Sequence, residues 1–123
     1  MTHRAFAGLA MLVAIGVLGA PVSAHLAVSR TAPADGATVA ASPAHVRVWF
    51  TQPPSDRLSR LELHGPSGEV ELSPVQVNRE DRSISAAVTG SLARGAYEVR
   101  WRTAGNDGHV MRGCFSFTVE PKP

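Results

Sequence analysis

A chain of 123 residues holds one domain and no more. Its 12 Lys and Arg and 10 Asp and Glu are interspersed without a basic block, which argues against nucleic-acid binding. Cys114 is the only cysteine, so an internal disulfide is excluded.

Along the chain, residues 1–4 are positively charged and residues 5–20 are small, apolar and uncharged. Pro21 breaks any helix, and Val22-Ser23-Ala24 offers the short side chains that signal peptidase requires. This order predicts a secretory signal peptide over residues 1–24, cleaved after Ala24. The apolar run of about 16 residues is shorter than the ~20 that span a bilayer. Residues 25–123 then form the mature domain, with no further candidate for a membrane span and enough length to fold without staples.

The mature part alternates. Leu26, Val28 and Arg30 interleave with Ala27, Ser29 and Thr31, and Pro33-Ala34-Asp35-Gly36 supplies turn chemistry. Val46, Val48 and Phe50 share one face of a run, with Arg47 and Trp49 on the other. Leu61 and Leu63, the turn Gly65-Pro66-Ser67-Gly68, then Val70 and Leu72 read as a hairpin. Val75 and Val77 lead to a charged turn at 78–82, and Ile84, Ala86 and Val88 form the next set. Tyr97, Val99 and Trp101 lie opposite Glu98, Arg100 and Arg102. A loop at 103–110 precedes Phe115, Phe117 and Val119. About seven short strands without a helical period predict an all-β, immunoglobulin-like antiparallel sandwich.

Three residues stand out for chemistry. Cleavage after Ala24 makes His25 a terminal residue whose α-amine and imidazole can grip one metal together; these groups titrate near ~7.7–8.0 and ~6.5. In Asp107-Gly108-His109, an extended backbone points Asp107 and His109 the same way, although Asp-Gly is also a common loop dipeptide. An amine, two imidazoles and a carboxylate suit tetragonal Cu(II), which also tops the divalent affinity order; zinc and nickel remain open. With Met111 the only methionine of the mature part, a soft Cu(I) site is not expected.

At these residues the chain resembles the CopC family of copper-resistance proteins. The resemblance rests, in order, on His25, Thr31-Ala32-Pro33-Ala34-Asp35-Gly36, Val48-Trp49-Phe50-Thr51-Gln52-Pro53, Gly95-Ala96-Tyr97-Glu98-Val99-Arg100-Trp101-Arg102, Asp107-Gly108-His109 and Gly113-Cys114-Phe115-Ser116-Phe117-Thr118-Val119. It implies a Greek-key β-sandwich or barrel in the bacterial periplasm, and a Cu(II) site on His25, Asp107 and His109. It further implies copper resistance or homeostasis rather than catalysis, with a multi-span membrane copper protein as partner; the exported domain itself is expected to be a monomer outside the membrane. Three positions depart from the family pattern: Gln52 stands where some members have a glutamate near the metal, residues 72–82 lack the methionines of a Cu(I) loop, and Cys114 replaces a common hydroxyl residue.

His45 and His64 read as structural or solvated, Cys114 as a small buried hydrophobe, and Trp49, Tyr97, Trp101, Phe115 and Phe117 as core aromatics. The Arg100/Arg102 face reads as a solvated strand face with acidic partners across the strands. Two other functions compete. One is a copper oxidase with a histidine brace, which needs an open coordination position that Asp107 would fill. The other is a metal-free immunoglobulin-like interaction module, which leaves His25, Asp107 and His109 unexplained.

Overall fold

A computed structural model describes residues 25–123; the signal peptide expected over residues 1–24 lies outside the described residues. Nine strands form among them: β1 (Val28–Ala32), β2 (Ala37–Val39), β3 (His45–Phe50), β4 (Arg60–Gly65), β5 (Gly68–Val70), β6 (Gln76–Asn78), β7 (Ser83–Ala87), β8 (Gly95–Ala104) and β9 (Val110–Val119). They make two sheets, ordered β1-β3-β7-β6 and β2-β9-β8-β4-β5, and the chain passes repeatedly from one to the other. This is the expected immunoglobulin-like sandwich. The count exceeds seven because β2, β5 and β6 have three residues each. Strand β2 pairs parallel with β9, a departure from a purely antiparallel arrangement. No helix among the described residues is long and apolar enough to cross a membrane.

Period-two alternation decides what enters the core. Val46, Val48 and Phe50 on β3 face Tyr97, Val99 and Trp101 on β8 and Phe115, Phe117 and Val119 on β9, all buried. Aromatic geometry adds specificity: Phe50 meets Trp101 edge-on with ring centroids 5.2 Å apart, and Tyr97 stacks on Phe117 at 5.5 Å. The predicted hairpin is present, with Leu63 opposite Val70 and Gly65 opposite Gly68. Gly68 has φ of 108°, a conformation that favours glycine.

Leu26 is buried and Val28 is 40% exposed, and the register against β3 slips between Val28 and Arg30. Three expectations are corrected. Cys114 is exposed. It lies on the face of β9 opposite Phe115 and Phe117, and that face looks outward. Trp49 leaves the core for the same reason. It stands on the outer face of β3, with the Arg30 guanidinium carbon 3.8 Å and that of Arg47 5.3 Å from its ring centroid. Finally, acidic partners serve only one of the two arginines of β8: Arg100 lies opposite Glu62, whereas Arg102 lies opposite Arg60 and Arg112.

Candidate metal centre

The cluster forms at the end of the sandwich where β8 turns into β9. Residues 105–109 make that turn, closed by a hydrogen bond from Gly108 N to Gly105 O of 3.1 Å. Gly108 takes φ of 76°, which a β-carbon would disfavour. Asp107 Oδ1 accepts the His109 backbone N–H at 3.0 Å, fixing the two residues as one unit.

His25 reaches this loop from the far end of the sequence because Leu26, next to it, is 1% exposed and plugs the core. Ala27 and Thr51 then lock the arm to the end of β3: Ala27 N donates to Thr51 Oγ1 at 3.0 Å, and Thr51 N donates to Ala27 O at 2.8 Å. The base of the loop is held to the next segment by Ser55 N donating to Ala104 O at 2.9 Å. Gly105 packs so closely that a β-carbon there would lie 2.7 Å from Gln52 Oε1 and 3.2 Å from Leu26 Cβ. Gln52 and Leu26 are thus the floor under the loop.

The three residues singled out in the sequence meet. Asp107 Oδ2 lies 2.9 Å from His25 Nδ1 and 3.0 Å from His109 Nδ1. One potential ligand atom from each lies within 4.8 Å of the others, and the two rings tilt at 51° with centroids 5.0 Å apart. A carboxylate only accepts hydrogen bonds, so in this arrangement each facing Nδ1 carries a proton. A metal seated between the three would replace those protons. The His109 side chain is 69% exposed and that of His25 53%, so an ion can enter without the fold opening.

The Asp107 carboxyl is held below the usual carboxylate range. The largest cause is the backbone N–H of His109, followed by the hydrogen bond with its ring and the positive character of both histidines; desolvation opposes them. Asp107 is therefore anionic and ready for a cation at any pH near neutral.

His45 and His64 stay away from this cluster. His45 is exposed at the start of β3, and His64 Nε2 lies 3.3 Å from Glu62 Oε2. A cavity of about 710 Å³ between the β5 and β6 edges involves none of the three residues. Sequence reasoning singled out the ligand candidates but missed the supports, Leu26, Thr51 and Gly105. A signal existed for one of them: an apolar residue directly after His25 is a natural anchor.

Comparison with known proteins completes the picture. Residues 28–120 match the profile of the CopC domain. The chain is 30% identical over 124 residues to "Copper resistance protein C" of Xanthomonas campestris pv. juglandis, covering 95% of this chain and 97% of that protein. Its structure is similar to that of CopC from Methylosinus trichosporium OB3b, with a TM-score of 0.73 and 27% identity over 80% of this chain and 97% of the other. It also has the fold of PcoC, described as a methionine-rich copper resistance protein from Escherichia coli, with a TM-score of 0.70 and 24% identity over 79% and 100% of the two chains.

Proposed function

Because the chain belongs to the CopC family, we propose that it is an exported copper-resistance protein that binds one Cu(II) ion at its mature N-terminus. His25 supplies its α-amine and ring nitrogen, Asp107 a carboxylate oxygen and His109 a second imidazole. Copper is cargo here, not the cofactor of a reaction, in keeping with a family of copper-resistance proteins rather than of enzymes. Cleavage after Ala24 releases the protein into the periplasm, where it lowers the concentration of uncomplexed copper and hands the ion to a multi-span membrane copper protein.

The observation that carries this reading is the convergence of His25 with Asp107 and His109 around a single carboxylate oxygen. Three nitrogens and one oxygen form a borderline donor set that favours Cu(II) over other common divalent ions, in tetragonal geometry. The residues fit the ion in charge as well, because Asp107 is anionic. The methionine-free stretch 72–82 offers no thioether for Cu(I).

The test is a competition titration of Cu(II) against a chelator of known affinity. It compares protein beginning at His25 with protein carrying one extra alanine before it. The extension converts the amine to an amide and removes one chelate arm, so affinity falls sharply. Equal affinity for the two proteins contradicts the assignment.

A further inference from the structure

The outer face of the β4-β8-β9 part of the larger sheet carries a row of like charge. Arg102 lies directly opposite Arg60 on β4 and Arg112 on β9. Side chains in directly opposed positions stand about 5 Å apart at Cβ, where like charges repel. The carboxylates of this face are engaged one row along. Glu62 lies opposite Arg100, and Glu98 Oε1 accepts from Arg100 Nε at 2.6 Å. The pKa of Arg100 is raised accordingly, first by the hydrogen bond with Glu98.

Among the described residues, no ion pair joins Arg60, Arg102 or Arg112 to a carboxylate. Arg60 Nη1 donates to the carbonyl of Ser59 at 3.2 Å. Arg102 Nε is buried and has no hydrogen-bond partner. A buried donor of a charged group is rarely left so. The three arginines line one open groove of about 620 Å³, together with Arg100, Cys114 and the carboxylates Glu62 and Glu98.

We propose that the Arg60–Arg102–Arg112 row is a binding site for a phosphate-type oxyanion. Guanidinium forks match tetrahedral oxyanions through paired N–H donors. One dianion over the central arginine relieves the repulsion along the row and gives the Arg102 Nε–H an acceptor. The phosphate chemistry has two sources, free inorganic phosphate and the headgroup of an anionic phospholipid. The row is separate from the copper ligands and independent of the metal reading. It lies two positions from the Ala104↔Val110 pair that ends the β8–β9 ladder, so a headgroup bound there brings the copper end of the sandwich towards the membrane surface.

The test uses the folded, metal-free protein labelled with ¹⁵N. Inorganic phosphate is titrated at constant ionic strength with chloride as the balancing anion, while the arginine Nε–Hε resonances are followed. In parallel, co-sedimentation is measured with vesicles of phosphatidylglycerol and phosphatidylcholine mixed, and of phosphatidylcholine alone. The row predicts a saturable shift at Arg102 Hε with phosphate, binding to the mixed vesicles only, or both; the pattern identifies the source. Arg60→Gln and Arg112→Gln, both at exposed positions, abolish whichever response the native protein gives. Arg112→Gln keeps its Cu(II) affinity, which verifies its fold. Responses no larger than those to chloride and to phosphatidylcholine, or full retention in both variants, overturn the proposal.

Discussion

Replacing Leu26 by alanine tests how an N-terminal residue is held against a loop more than 80 positions away. Leu26 is 1% exposed and belongs to the main core cluster. Removing its three outer carbons forfeits about 2.4 kcal/mol of transfer free energy, at ~0.8 kcal/mol per buried methylene. The remaining cavity raises the cost to ~3 kcal/mol or more, because the surroundings relax only in part. For a domain of this size each kcal/mol moves the melting temperature by about 4–8 °C, so Leu26→Ala melts ~12–24 °C lower.

The same change loosens the arm that presents His25. Binding must then order that residue afresh, at a cost of about 1–2 kcal/mol, which weakens Cu(II) by roughly 5–30-fold. Differential scanning calorimetry of the metal-free protein reads the first effect, and competition titration reads the second. Copper at about 100 times its dissociation constant restores ~2.7 kcal/mol to the variant, as it does to any protein that binds only when folded. A variant with the native melting temperature, or one that is destabilised but binds copper as tightly as the native protein, refutes the anchoring role of Leu26.

Other outcomes follow from the same geometry. Asp107→Asn removes the only anionic donor of the cluster and weakens Cu(II) by about tenfold or more, equivalent to ~1.4 kcal/mol, in the same titration. Copper affinity falls as pH drops from 8 to 5, because protons compete with the ion for the amine and imidazole nitrogens. Asp107 stays ionised across that window, since its folded pKa lies below the ordinary ~3.9; its contribution to the metal-free fold is present above that value and lost as pH falls through the depressed one. Gly113→Ala places a β-carbon 2.5 Å from Trp101 Cζ2. The indole is buried edge-on against Phe50, so making room for the β-carbon costs about 1–3 kcal/mol, seen as a lower midpoint in denaturant.

The strands were legible because alternation is a strong signal where one face is buried: Val46, Val48 and Phe50, or Phe115, Phe117 and Val119, announce their own orientation. Residues on the opposite faces were harder. Whether the second side of a strand is covered depends on the layers around it, and the two-layer sandwich leaves Cys114 and Trp49 outside.

The candidate site was legible as three separate residues with a shared chemistry. Their meeting was not, since it depends on Leu26 entering the core, on the Ala27–Thr51 hydrogen bonds and on the close packing of Gly105. The arginine row was invisible for a similar reason. Arg60, Arg102 and Arg112 become neighbours only through the register of three strands.

The central claim concerns which atoms surround the copper ion, and electron paramagnetic resonance reads them directly. With one equivalent of Cu(II) bound to protein beginning at His25, the account predicts a tetragonal spectrum with hyperfine structure from three nitrogens, one of them the α-amine. A spectrum unchanged when His25 or His109 is replaced by alanine, or one indistinguishable from copper scattered over surface sites, would contradict it.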